Sequence, residues 1–145
     1  MSSTSKSSSV PTDTSPSLPT LHPPHQFGIV EPGIYRSAFF YHSHLNFIAS
    51  LHLHSILVLS AESLPRYILH FIHNHHIHLY QLGIHCWQPS NEWRPVNIEL
   101  IKDALNLILR KKKHPLLIMC SSGIYETGTL VGCLRRLQQW NFSSI

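Results

Sequence analysis

Residues 118–130, with the sequence IMCSSGIYETGTL, place a cysteine where an apolar run meets a short loop and a helix start. Successive N–H groups in such a turn, followed by a helix N-terminus, form a cradle for an anion. The same field stabilises a thiolate, which makes Cys120 a candidate nucleophile. A structural cysteine buried at a strand end is the alternative interpretation. The residues of the predicted anion loop are Ser121, Ser122, Gly123, Ile124 and Tyr125, with the glycine allowing a turn without a Cβ clash.

The apolar pattern indicates which elements hold this loop in place. It predicts a β-hairpin around Glu31-Pro32-Gly33, a helix at 44–51, a strand at 55–60 and a helix at 63–74. Further along it predicts a strand at 77–82, a loop at 83–95, a helix at 96–112, a strand at 116–120 and a helix at 125–140. This alternation favours an α/β fold with a mostly parallel central sheet flanked by helices. Cys120 would then lie at the carboxyl ends of the strands, where such sheets bind ligands.

Composition limits the classes of protein to which the chain can belong. The chain has 145 residues, 43% of them apolar, which is enough for one domain with its own core. Residues 1–24 are rich in Ser, Thr and Pro and predict a disordered tail, leaving 25–145 as the domain. A net charge of +4 suits an anionic ligand but is too weak and scattered to indicate nucleic acid. No apolar stretch reaches the roughly 18 residues of a membrane span.

Cysteine and histidine usage adds two expectations. The three cysteines form no disulfide framework, so we expect a reducing compartment and a cytoplasmic location. Thirteen histidines are unusual, and a group between positions 70 and 85 leaves a zinc site or a histidine-driven sensor open. No Cys/His pairing of the zinc-finger kind is present. We therefore favour histidine as a surface residue that gains charge below about pH 6.5, and predict neither a metal nor a cofactor.

Four segments carry a family resemblance: FGIVEPGIYRS, LILRKKKHPLLIMCSSG, TGTLVGCLRRLQQW and the closing SSI. In their order and spacing they resemble the plant and fungal atypical dual-specificity phosphatases, a branch of the protein-tyrosine-phosphatase superfamily. The similarity spans roughly residues 25–145 and implies a phosphatase-like fold. It implies phosphotyrosine, inositol polyphosphates and inositol pyrophosphates as substrate classes. It also implies further helical sequence after the closing segment, so a C-terminal truncation is one interpretation of the end at Ile145.

The family's active loop resembles His, Cys, five residues, Arg and then Thr-Gly. On this chain Cys120 matches the nucleophile, residues 121–125 match the loop, and Thr127 matches the hydroxyl that helps the thiolate leave. Two positions depart from the pattern, because Met119 replaces the histidine and Glu126 replaces the arginine. An arginine binds two phosphate oxygens at once and stabilises transition-state charge, whereas a glutamate offers no donor and repels the anion.

Two placements of the Glu126 carboxylate remain open at this stage. It could bend back and accept N–H bonds from the cradle, which would fill the loop from within. It could also face water as an acid in the first helical turn, where the helix dipole favours it. Arg36 matches a family arginine that we expect to be structural.

These residues lead to two functional hypotheses. The first is a catalytically impaired pseudophosphatase that acts as a binding or scaffolding module and forms hetero-oligomers with related phosphatases. The second is an active enzyme in which Cys120 forms a phosphocysteine on a phosphorylated protein or an inositol (pyro)phosphate. It would need a replacement cation, such as Arg94 or a histidine, and a general acid, for which Glu92 is the only carboxylate in the predicted 83–95 loop.

Overall fold

One five-stranded sheet organises the computed structural model, which describes residues 5, 9, 15–85 and 97–145. The strand order across the sheet is β1-β2-β5-β3-β4. The first pair is antiparallel, and the other three pairings, β2–β5, β5–β3 and β3–β4, are parallel. The predicted α/β fold with a mostly parallel sheet is therefore confirmed. The strands are β1 (Gly28–Glu31), β2 (Ile34–Ala38), β3 (Ser55–Val58), β4 (His78–Gln81) and β5 (Leu116–Cys120).

Helices cover both faces of this sheet. Three short 3₁₀ turns accompany them at His42–His44, Lys111–Lys113 and Phe142–Ser144. No helix in the described part of the chain is long and apolar enough to cross a membrane. The α-helices are α1 (Leu45–Ser50), α2 (Arg66–Asn74), α3 (Leu82–His85), α4 (Ile98–Ile108) and α5 (Tyr125–Leu137).

The side chains of β5 alternate between two core clusters, one on each face of the sheet. Leu116, Ile118 and Cys120 belong to the cluster that contains α4 and α5. Leu117 and Met119 belong to the cluster that contains α1 and α2. All five residues are fully buried, as expected for a central strand covered on both faces.

The hairpin between β1 and β2 forms as predicted. Gly33 has φ +82°, a conformation that favours glycine, and β1 and β2 pair on either side of the turn. Leu116 N–H donates to the Gly33 carbonyl at 2.8 Å, so the turn is tied to the start of β5.

Helix α2 begins later than predicted. The predicted start at residue 63 is wrong, because Pro65 follows Leu64 and a residue before proline is disfavoured in the helical region. The helix instead begins at Arg66, directly after the extended Pro65. Its predicted inward residues Ile68 and Phe71 are buried.

Helix α4 ends earlier than predicted. It stops at Ile108, Arg110 is extended, and the three lysines form a separate 3₁₀ turn. Leu109, predicted to face inward, is 62% exposed. The ring of His114 lies 2.7 Å from the Ile108 carbonyl and satisfies one of the carbonyls left free at the helix end. The chain must leave the helix here to enter β5 at Leu116.

Helix α5 also ends before the predicted residue 140. Gln139 is left-handed with φ +63°, and its N–H donates to the Arg136 carbonyl. Trp140 N–H donates to the Arg135 carbonyl at 3.0 Å, which completes a Schellman-type end. Leu137, an apolar residue of the predicted helix, is 61% exposed.

The predicted loop at 83–95 begins with a helical turn, α3. A Cβ on Gly83 would lie 2.3 Å from the carbonyl oxygens of Leu59 and Ser60, so the turn packs directly on the end of β3. Residues 86–96 lie outside the described part of the chain, and Glu92 and Arg94 lie there with them. The proposed roles of these two side chains remain predictions.

Candidate active site

Cys120 is the last residue of β5 and lies at the carboxyl edge of the sheet. It pairs with Ala38, the last residue of β2, and its side chain is fully buried. On the other side of β5, Leu59 N–H donates to the Met119 carbonyl at 3.0 Å. The parallel pairing of three strands thus places the sulfur where ligands bind in sheets of this kind.

Two hydrogen-bond donors point at the Cys120 sulfur. Gly123 N–H donates to Sγ at 3.2 Å, and the buried Thr127 hydroxyl donates at 3.0 Å. The Ser122 hydroxyl lies 4.0 Å from the same atom. The thiolate is the nucleophilic form of cysteine, and both donors are directed at the sulfur that would carry its charge. The structure therefore brings together Cys120 and Thr127, which the sequence paired only through the family pattern.

Strand β2 supports the loop from behind. Gly123 has φ +71°, and a Cβ there would lie 2.5 Å from the Ala38 nitrogen. Arg36, in the middle of β2, donates from Nη2 to the Gly123 carbonyl at 2.9 Å. The guanidinium thus bonds to the loop backbone, as expected of a structural arginine. Its partner lies 87 positions away in sequence, and no local pattern could have indicated the contact.

The first turn of α5 adds further donors. Ile124 is the N-cap, and its own N–H donates to the Ser122 hydroxyl at 3.2 Å. The N–H groups of Tyr125, Glu126 and Thr127 have no acceptor among the described residues, which is usual for the first turn of a helix. With the helix dipole they form the positive end of the predicted anion cradle.

Glu126 lies in this first turn and is half-buried. None of the N–H groups of residues 121–125 donates to its carboxylate, so the placement in which Glu126 fills the loop from within is not adopted. The carboxylate instead occupies the position of a first-turn acid. Across the described residues no ion pair reaches it.

The loop itself offers no positive side chain. Residues 121–126 include neither Lys nor Arg, and the two hydrophobic side chains after the glycine are exposed, Ile124 by 50% and Tyr125 by 69%. Met119 packs in the cluster on the opposite face of the sheet from Cys120. The side chain at that position therefore lies away from the sulfur, in the apolar core.

A metal at this site has no support in the described residues, where no group of three or more His, Cys, Asp or Glu side chains could hold an ion. The described cysteines Cys120 and Cys133 are free thiols.

A strand, a cysteine with two donors, a tight loop and a helix start define the phosphate-loop architecture of cysteine-dependent phosphatases. The model of the tyrosine phosphatase family matches residues 21–145. The chain belongs to the tyrosine phosphatase family, which confirms the family indicated by the sequence.

Individual relatives agree with this family. The chain is 40% identical over 125 residues to inositol diphosphatase DSP3 of Arabidopsis thaliana, covering 86% of this chain and 61% of that protein. It is 38% identical over 123 residues to the probable tyrosine-protein phosphatase DG1060 of Dictyostelium discoideum, covering 85% and 73%. The chain thus spans about three fifths of the length of the Arabidopsis relative.

The fold is shared with a solved structure, the core catalytic domain of the PP-IP phosphatase SIW14 from S. cerevisiae in complex with citrate. The match has a TM-score of 0.77 and 36% identity, and it covers 86% of this chain and 74% of that chain. The match shows that this chain has a phosphatase fold.

Proposed function

We propose that this domain is a catalytically impaired member of its family, a pseudophosphatase that acts as a binding or scaffolding module. The single observation that carries the proposal is Glu126, which stands in the first turn of α5 one residue before the hydroxyl that contacts the Cys120 sulfur. In the family pattern this position holds the arginine that binds two oxygens of the phosphate.

The electrostatic penalty at this position is large. At about 4 Å and an effective dielectric of about 20, one pair of unit charges is worth roughly 4 kcal/mol. Exchanging an arginine for a glutamate loses an attraction and adds a repulsion. Removing one electrostatic donor alone costs about 10²–10³ in rate in enzymes of known mechanism. Because Glu126 is only half-buried, solvent screens part of this penalty.

A second candidate function is supported by the geometry at the sulfur. Gly123 and Thr127 still donate to Cys120, as a thiolate nucleophile requires. In an active enzyme the sulfur would attack phosphorus and displace the leaving oxygen, and water would then hydrolyse the phosphocysteine. The names of the relatives suggest phosphotyrosine or inositol (pyro)phosphate as substrate. This candidate still lacks a cation in the loop.

One experiment separates the two candidates. The purified protein is assayed on a small aryl phosphate and on an inositol pyrophosphate, beside Cys120→Ser. We expect the two proteins to give the same background rate, because the pocket repels the dianion. Turnover by the unmodified protein that Cys120→Ser abolishes would end the proposal of catalytic impairment and establish the active phosphatase.

The partners and the compartment form part of the same proposal. The domain combines a phosphatase fold with a glutamate at the position of the family's arginine. This combination suits a domain that pairs with related phosphatases or binds a phosphorylated protein through other surfaces. The free thiols of Cys120 and Cys133 fit a cytoplasmic setting, where glutathione keeps cysteines reduced.

A further inference from the structure

Two histidines lie side by side at the amino edge of the sheet, the edge opposite to Cys120. His54 directly precedes β3, and His78 is the first residue of β4. Their ring centres are 4.9 Å apart, and the rings are tilted by 52°. Both residues are exposed. We name His54 and His78 the histidine pair.

The sheet holds the backbone of the histidine pair in place. His78 N–H donates to the His54 carbonyl at 2.9 Å, and Ser55 is paired with His78 in the parallel register of β3 and β4. His54 N–H donates to the Pro115 carbonyl at 2.8 Å, directly before β5. Because both residues are fixed by strand pairing, little conformational freedom is lost when their side chains bind one ligand.

The ring nitrogens of the histidine pair are open to a ligand. Ring hydrogen bonds in the described part of the chain are formed by His44, His75 and His114. Neither member of the pair has a hydrogen-bond partner there. A neutral imidazole presents one nitrogen lone pair, so the pair offers two nitrogen ligands at one place on the surface.

We propose that the histidine pair is a two-nitrogen binding site for a divalent transition-metal ion. Two imidazole nitrogens bound to one ion at about 2.0–2.1 Å, with a bond angle of about 90–110°, set the ring centres roughly 4.5–5.3 Å apart. The observed 4.9 Å lies within this range. Imidazole suits Zn²⁺, Cu²⁺ and Ni²⁺, whereas Mg²⁺ and Ca²⁺ take oxygen ligands.

The remaining coordination positions of such an ion would face water. The described residues contain no group of three or more His, Cys, Asp or Glu side chains that could hold an ion, so the site has two protein ligands from that part of the chain. His78 belongs to the histidine-rich group at positions 70–85, but His54 lies outside it, and the fold brings them together. This inference does not depend on whether the Cys120 loop retains catalysis.

A second pair of neighbouring histidines differs in geometry and provides the matched control. The ring centres of His25 and His44 are 6.0 Å apart, which is wider than one ion bound to both nitrogens allows. His44 is also buried, and its Nδ1 already accepts a hydrogen bond from Tyr41 N–H at 3.0 Å. His25 is exposed, so its replacement removes one imidazole from the surface without affecting the proposed site.

The first test measures affinity for Ni²⁺ alone, because Zn²⁺ also binds thiolates well. Ni²⁺ is titrated into the purified full chain by calorimetry at pH 7.5, where an ordinary imidazole is mostly neutral. We expect His54→Gln and His78→Gln each to weaken binding by about tenfold or more, because each removes one of two ligands. His25→Gln should bind as the unmodified protein does. Absence of binding, full affinity in either variant of the pair, or an equal loss in His25→Gln would overturn the proposal.

A second measurement locates the ion in the fold. Ni²⁺ is paramagnetic and broadens the nuclear magnetic resonance signals of nearby groups. At less than one equivalent of Ni²⁺, we expect the amide signals of residues 53–56 and 77–79 to broaden first, and the His54→Gln variant to lose this effect. Broadening centred on another part of the chain, or unchanged broadening in the variant, would refute the assignment.

Discussion

At the scale of single residues, the site separates the chemistry of the sulfur from the chemistry of the ligand. The sulfur of Cys120 accepts hydrogen bonds from two donors, the Gly123 N–H and the Thr127 hydroxyl. Under the proposed function Glu126 acts on the ligand, since a carboxylate in the first turn of α5 would oppose an incoming phosphate dianion. The donors to the sulfur are thus in place, whereas the proposed function expects the phosphate itself to be repelled.

The first prediction at this scale concerns the charge at position 126. Glu126→Arg should raise the affinity for vanadate or phosphate by about tenfold or more, because the repulsion is replaced by a two-pronged donor. Glu126→Gln should raise this affinity less, since it removes the repulsion without adding the two-pronged donor of an arginine. Vanadate binding measured by equilibrium titration compares the three proteins.

A matched control exists in the first turn of another helix. Glu99 of α4 is an exposed first-turn acid, and Glu99→Arg makes the same change in net charge at a different place. It should leave vanadate affinity nearly unchanged. If Glu126→Arg bound vanadate no more tightly than Glu99→Arg, the loop would not be a phosphate cradle.

Much of the site could be predicted at this scale, and the reason is that its members are close in sequence. Cys120, the loop and Thr127 lie within eight positions, so spacing alone brings them together. The contact between Arg36 and the Gly123 carbonyl depends on the strand order, which places β2 next to β5. The pairing of β2 with β5 cannot be read from a sequence pattern.

At the scale of elements, the loop is fixed by its fit against β2. Gly123 is left-handed and lies where a Cβ would collide with the backbone of Ala38 and Ser37. Gly128, in α5, has no atom within 4 Å of the position its Cβ would take. Gly123 and Gly128 therefore have different physical roles in this chain.

The second prediction contrasts these glycines. Gly123→Ala should lower the free energy of unfolding by about 2 kcal/mol or more, because it strains a left-handed residue and forces β2 aside. Gly128→Ala should raise it by about 0.5–1 kcal/mol, because alanine is the better helix former at an open position. Urea denaturation measures both. Equal effects of the two substitutions would show that the close approach to β2 does not constrain the loop.

Strands were predicted more accurately than helix ends. A continuous apolar run such as residues 116–120 is readily assigned as a buried strand once a parallel sheet is assumed. The ends of α4 and α5 were missed because the signals there are unusual. Helix α5 ends at a left-handed Gln139 where glycine is the common choice, and α4 ends under the ring of His114.

At the scale of the whole molecule, two titrating groups make stability depend on pH in separate ranges. Burial, followed by the neighbouring His25 and His22, lowers the pKa of His44. Hydrogen bonds from Arg135 and then Gln138 lower the pKa of Glu31, which connects β1 to α5. Because both folded-state pKa values are depressed, both contributions are complete at high pH and are lost as pH falls.

The third prediction uses His44. The unfolded chain takes up a proton near pH 6.5 before the folded chain does, so the free energy of unfolding should fall as pH drops below 6.5. His44→Asn keeps an acceptor for Tyr41 N–H but does not titrate, so its stability should decline less over this range. Urea denaturation at several pH values from 7.5 to about 5 compares the two proteins.

Glu31→Gln provides the matched control, because the carboxyl of Glu31 protonates only below about pH 4.5 even in the unfolded chain. It should be less stable than the unmodified protein by a constant amount between pH 7.5 and 5, with the same pH dependence, and this difference should shrink only at lower pH. If His44→Asn lost stability as steeply as the unmodified protein in that range, another group would be responsible for the pH dependence.

The bonds that shape the Cys120 loop have a consequence for substitutions at position 126. Arg36 and Ala38 hold the loop through its backbone, and neither of these contacts uses the side chain at position 126. The backbone shape of the loop is therefore fixed independently of the charge at position 126. A substitution at that position can change the electrostatic potential that a ligand meets and leave the bonds that hold the loop in place.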